Sequence, residues 1–256
     1  MARNNFLHDT RIVTFHELLL RVRNPLWLFF GLFQPIVYLA LFAPFLKGIA
    51  HAPGFPSSSA IQFFAPGLLI MNALFGAGFA GFGLIDKLRS GFIERLRVTP
   101  VSRIALVLGF VLGNAIQLIV QSALLLMAAL FFGLQINWVG LLLLVILLLL
   151  IGCTMASISY SIALMVKDEG VLAATTNFFT LPLMLLSGIM LPIDFAPTLL
   201  QALAKIDPFA YAVTASRALM NGSLKDPSVA IAFTIFEVLT VLALAWFIKA
   251  MREAVA

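Results

Sequence analysis

Charge is what this 256-residue chain has least of: 11% of its residues are Asp, Glu, Lys or Arg, against about a quarter in an ordinary soluble domain. With 62% apolar residues and a mean hydropathy of +1.09, the shortage excludes a soluble globular domain and leaves a polytopic membrane protein. Cysteine is almost missing. The single Cys153 excludes an intrachain disulfide, and its place in an apolar run reads as a packing thiol. No Walker-A sequence occurs, nor even a Gly-Lys pair, so any ATP-driven activity needs a nucleotide-binding subunit on another chain. Metal-ligand clusters, nucleophile triads and paired acids are also missing, which argues against an enzyme. His16-Glu17 begins like a zinc-binding H-E-x-x-H, but the fifth position is Leu20. Gly76–Gly81 fits G-x-G-x-x-G, yet it lies inside an apolar run with no strand before it, so small residues for close helix packing explain it better. The first 25 residues carry four arginines and no short apolar core before a cleavage site, so no removable leader is expected. The net charge of +5 does not point to nucleic acid, because excess Lys and Arg in a membrane chain mark its cytoplasmic face.

What is present is a series of long apolar runs. A span needs about 20 apolar residues to cross roughly 30 Å. The sequence predicts an all-α membrane protein with six transmembrane helices, at Leu26–Leu46, Ile61–Ile85, Ile104–Leu134, Trp138–Val166, Gly170–Ile193 and Val229–Ile248. Only Gln135, Ile136 and Asn137 separate the third from the fourth, which predicts a tight hairpin. Pro35, Pro44, Pro66 and Pro182 fall inside spans and predict kinks or breaks. With the N-terminus inside, 12 Lys and Arg fall in inside segments and 4 in outside segments, so both termini are expected in the cytoplasm. Residues 1–25 read as an amphipathic N-terminal helix. Ile12, Phe15, Leu19 and Val22 form one stripe, with Arg11, Thr14, Glu17 and Arg21 opposite. Such a helix lies in the headgroup plane or packs on a cytoplasmic partner.

Five of the 16 basic residues lie in the 17 positions Lys87–Arg103. Within this island Leu88, Phe92 and Leu96 step by four and make an apolar ridge. Glu94 and Arg97 are spaced for an i,i+3 pair. Pro100 disfavours helix at Thr99, and Ser102 is placed to cap the third span. A short rod of this kind, joined to two spans without slack, can transmit a push from a partner.

Polar residues inside the spans are the candidate path. Asn114, Gln117 and Gln121 follow one face of the third span, and Thr154, Ser157 and Ser161 one face of the fourth. In hydrocarbon both stripes should face protein or a wet cavity, as helix–helix bonds or as a substrate path. Glu237 is the only acid deep in a span; it is protonated, paired with a polar neighbour, or a proton relay. Residues 194–228 are too apolar for a free loop. They predict two short helices, broken at Asp207-Pro208, that dip back toward the membrane as an outer gate.

Two segments together resemble the ABC-2-type permease family, the membrane subunits of ATP-driven exporters of the daunorubicin-resistance and nodulation-factor kind. One is Glu94-Arg95-Leu96-Arg97-Val98-Thr99-Pro100-Val101-Ser102-Arg103. The other is Leu186-Ser187-Gly188-Ile189-Met190-Leu191-Pro192-Ile193-Asp194, followed by Pro197, Leu200, Pro208, Tyr211 and Arg217. The resemblance covers the chain as a single transmembrane domain, 1–256. It implies a coupling helix within 87–103, with Leu88, Phe92, Glu94, Arg95, Leu96, Arg97, Thr99 and Pro100 docking on a cytoplasmic ATPase. It also implies an outer gate with Pro192, Pro208, Tyr211 and Arg217. Two ATPase copies, holding ATP and magnesium, would drive a pair of permeases, most simply a homodimer, in the inner membrane. The chain itself would hold no cofactor. The expected function is export of an amphiphile: a drug, a lipid or a lipid-linked glycan. The alternatives are an ion-coupled transporter using Glu237 and a non-transporting membrane scaffold.

Overall fold

The computed structural model describes residues 6–23, 33, 35–41, 60–91, 102–190, 193 and 196–255. Among them every regular element is helical: α1 (Phe6–Arg23), α2 (Ala60–Gly78), α3 (Gly81–Arg89), α4 (Arg103–Phe131), α5 (Trp138–Val166), α6 (Glu169–Leu186), α7 (Thr198–Ala204), α8 (Pro208–Met220) and α9 (Pro227–Val255). Five stretches are long and apolar enough to cross a membrane: Ala60–Arg89, which joins α2 to α3, then α4, α5, α6 and α9. They match the second to sixth expected spans. The expected first span falls mostly outside the described residues, though residues 35–41 are helical.

The hub is α5, which packs against α2, α3, α4, α6, α8 and α9. Leu144, Leu147, Ile151, Ala156 and Ala163 along it are fully buried. Local chemistry sets its ends. Asn137 Oδ1 accepts the Gly140 N–H at 2.8 Å and starts the helix just after the α4 hairpin. Lys167, in the left-handed region at φ 54°, stops it. Asp168 then caps α6 through the Val171 N–H at 2.9 Å. The outer helices α6 and α9 turn apolar side chains such as Phe178, Phe179, Leu185, Val241 and Leu242 outward, as a lipid-facing surface requires.

The second span breaks at Phe79–Ala80, not at Pro66, and α6 runs through Pro182 without a break. Pro66 lies in the second turn of α2, whereas the break falls among Gly76, Gly78 and Gly81, each a weak helix former. The break also lets Gly81 meet α5 closely. Its N–H donates to Ser159 Oγ at 2.9 Å, and a Cβ there would lie 2.6 Å from the Ser159 carbonyl oxygen. Ser102 does occupy the N-cap position of α4, but its hydroxyl makes no cap hydrogen bond.

The N-terminal helix α1 packs along α4 and runs parallel to it. Val13 sits on Gly109 and Glu17 on Gly113, and Arg21 reaches Gln117, a step of four on both helices. Thr10 and Glu17 face protein and are buried, while Ile12, Phe15 and Val22 are 54%, 67% and 77% exposed, alongside the exposed charged and polar residues His8, Arg11, His16 and Arg23.

Candidate functional site

Two ends of the bundle differ in charge. At one end Arg89 at the close of α3 pairs with Glu169 at the start of α6, and Arg103 donates to the Arg252 carbonyl oxygen at 3.3 Å. These two contacts pin the chain on both sides of residues 92–101. Of the expected coupling residues only Leu88 is described, half-buried against the core. Phe92, Glu94, Arg95, Leu96, Arg97, Thr99 and Pro100 lie outside the described residues.

Above this charged end opens a cavity of about 570 Å³. Its walls come from α1, α2, α3 and α4, with Pro35 and with Tyr160 of α5. One wall is apolar: Leu20, Met71, Phe75, Phe79 and Ala80. The others are polar. Lys87 Nζ lies 2.5 and 2.6 Å from the two Glu17 carboxylate oxygens and 4.8 Å above the Phe110 ring. Both partners are shielded, with side chains 14% and 4% exposed. Arg21 donates to Gln117 and, at 3.3 Å, to the Tyr160 hydroxyl. Tyr160 is fixed in turn by stacking on Phe247 at 5.1 Å. Glu17 and Asp86 balance Arg21 and Lys87, so the cavity is formally neutral.

Asn114, Gln117 and Gln121 of the expected path all line this cavity. Thr154, Ser157 and Ser161 do not. Thr154 Oγ1 meets Thr240 Oγ1 at 2.9 Å, and Ser161 donates to the Ser157 carbonyl oxygen at 2.7 Å. That stripe serves as a polar joint within α5 and between α5 and α9. Glu237 is exposed on the outer face of α9 and takes no part in the cavity. Sequence reasoning passed over Asn72, the one strongly polar residue in the middle of the second span, because it belongs to no stripe. It also left Glu17, Arg21 and Lys87 as surface charges; their partners lie 70 or more positions away in sequence, where spacing carries no signal.

At the opposite end the two expected short helices form as α7 and α8. Pro208 opens α8, and Asp207 Oδ1 caps it by accepting the Phe209 N–H at 2.9 Å. Tyr211 donates to the Lys205 carbonyl oxygen at 3.0 Å. Arg217 acts as a clamp: it donates to the carbonyl oxygens of Phe63 at 3.1 Å and Gly188 at 2.7 Å, and lies 3.5 Å from the centre of the Phe63 ring. Burial pulls its guanidinium down to about 9, still charged near neutrality. The expected burial of the whole segment holds for α8, where Phe209, Val213 and Leu219 are buried, but not for α7, where Leu199, Leu200, Leu203 and Ile206 are exposed. Pro192 lies outside the described residues.

Comparison with known proteins adds an independent line. The family described as ABC-2 type transporter matches residues 8–221. A protein bearing the transport-permease name ycf38 from Cyanophora paradoxa is 28% identical over 78% of this chain and 70% of its own length. Its namesake from Pyropia yezoensis is 30% identical over 78% of this chain and 69% of its own. The daunorubicin resistance ABC transporter permease protein DrrB1 of Streptomyces coeruleorubidus is 24% identical over 74% of this chain and 67% of its own.

Proposed function

The chain belongs to the ABC-2 type transporter family, and from that premise we propose that it is the permease subunit of an ATP-driven exporter of amphiphiles. The observation that carries this reading is the cavity at the charged end, apolar on one wall and polar on the others. An amphiphile fits such walls with its chain against Phe75 and Phe79 and its head against the polar side. Asp86 and Ser90, exposed in the cavity lining, lie on the side that the Lys and Arg count assigns to the cytoplasm and inner leaflet. Both termini lie on that side of a cell inner membrane.

Energy arrives from outside the chain, because no nucleotide-binding motif is present in it. Two cytoplasmic ATPase subunits, carrying ATP and magnesium, dock on residues 87–103 of two permease copies. Phe92 and Leu96 supply the apolar ridge, with Arg95 and Arg97 at its flanks. Arg89–Glu169 and Arg103–Arg252 pass movement of this segment to α6 and α9. At the far end α8, held by Arg217, closes the exit.

The test is co-expression with a Walker-A ATPase that co-purifies with this chain. In Leu96→Asp and Arg97→Glu, membrane insertion is expected to stay normal while transport-coupled ATP hydrolysis falls at least tenfold. Unchanged coupling in both variants would remove the docking assignment. The ion-coupled alternative gains nothing from the geometry, since Glu237 points away from the cavity.

A further inference from the structure

The charges that line the cavity are already engaged or stand at its rim. Lys87 and Glu17 hold each other, Arg21 is held by Gln117 and Tyr160, and Asp86 is exposed at the mouth. What remains uncommitted inside is uncharged. Asn72 and Asn114 are 2% and 3% exposed, and both line the cavity. Asn72 Nδ2 and Asn114 Oδ1 are buried without a hydrogen-bond partner. Gln121 and Asn72 crowd the same spot: their side-chain oxygens lie 3.3 and 3.8 Å from where a Cβ on Gly76 would stand. Buried polar atoms are nearly always paired, so an unpaired donor and an unpaired acceptor beside one cavity call for an account. The terminal torsion of an Asn side chain is broad, so a small rotation brings either end of the amide to the cavity.

Resting on the reading of this cavity as the amphiphile site, we propose that it selects amphiphiles with an uncharged, hydrogen-bonding head, a polyol or glycosyl group, read by the carboxamides of Asn72, Asn114 and Gln121. A hydroxyl both donates and accepts, so it satisfies the orphaned Asn72 donor and Asn114 acceptor alike. A cationic head would lose its hydration with Glu17 already paired to Lys87, and an anionic head would have to draw Arg21 away from Gln117 and Tyr160. The apolar wall of Leu20, Met71, Phe75 and Phe79 takes the chain of the same molecule.

The experiment uses three photoreactive probes with one diazirine-bearing octyl tail and a glucosyl, trimethylammonium or sulfate head. Each is cross-linked to the purified chain in nanodiscs, and the labelled residues are mapped by mass spectrometry. The glucosyl probe is expected to label the walls of α1, α2 and α4 saturably, at least tenfold more tightly than either charged probe. Asn72→Leu and Asn114→Leu should each weaken it about tenfold, the loss of roughly one hydrogen bond. Their unfolding temperatures should hold or rise, since an unpaired buried amide is removed. Asn72→Asp should shift preference toward the trimethylammonium probe, a gain that misfolding cannot produce. Equal or tighter labelling by a charged probe, or no effect of the Asn substitutions, overturns the headgroup assignment and leaves the amphiphile site standing. If no probe labels these walls saturably, the amphiphile site itself falls.

Discussion

Separating the Lys87–Glu17 pair leaves one charge buried alone, and that single-residue fact has a measurable size. Lys87→Met is expected to destabilise the protein by about 3–5 kcal/mol, seen as a lower unfolding temperature in detergent. The double variant Glu17→Leu/Lys87→Met should recover most of that loss, because two buried charges leave together. At the far end, burial raises the Asp207 carboxyl from 3.8 to about 6, partly opposed by the Phe209 N–H. The folded state then holds this proton more tightly than the unfolded chain does. Its contribution to stability is greatest below about pH 4, declines as pH rises toward 6, and is flat above. Asp207→Asn keeps an oxygen for the cap and removes this slope. Unfolding midpoints compared at pH 4.5 and 7.5 should show a gain near neutrality of at most about 3 kcal/mol.

Among the elements, α1 depends most on two small residues. A Cβ on Gly109 would stand 2.5 Å from Val13 Cγ1, and one on Gly113 would stand 2.8 Å from Glu17 Cβ. Gly109→Leu should lift α1 from α4, break the Arg21–Gln117 contact, and speed tryptic cleavage at Arg21 and Arg23. Gly83→Ala, with open space around its Cβ, should leave cleavage unchanged. Periodicity and length made most elements legible in advance: the α4–α5 hairpin and the α7–α8 break at Asp207-Pro208. The docking of α1 on α4 was not, because the partners of Glu17 and Arg21 lie 70 or more positions away, where spacing carries no signal. The break in the second span falls not at Pro66 but among three glycines in six positions, which weaken a whole turn. The α5 stripe of Thr154, Ser157 and Ser161 had the spacing of a path, yet spacing alone cannot tell a joint from a lining.

At the scale of the whole molecule, the two ends divide the work. The cavity lies toward the charged end, beside Lys87 and Ser90, and at the other end Arg217 ties α8 to the Phe63 and Gly188 carbonyl oxygens. Loosening the clamp should be costly: Arg217→Leu frees the Phe63 and Gly188 carbonyl oxygens and is expected to cost about 3 kcal/mol, read from thermal unfolding. The cavity walls come from α1, the α2–α3 span, α4 and Tyr160 of α5, so the site exists only once α1 has docked on α4 and α3 has closed on α5. The central claim, that amphiphiles pass through this cavity, is tested most directly by plugging it. Gly76→Phe places a ring against Gln121 and Asn72 and leaves the sequence of residues 87–103 unchanged. In inside-out vesicles holding the permease with its ATPase, ATP-dependent uptake of a fluorescent amphiphile is expected to fall at least tenfold while the two proteins still co-purify. Uptake at the unplugged rate would show that the substrate travels elsewhere.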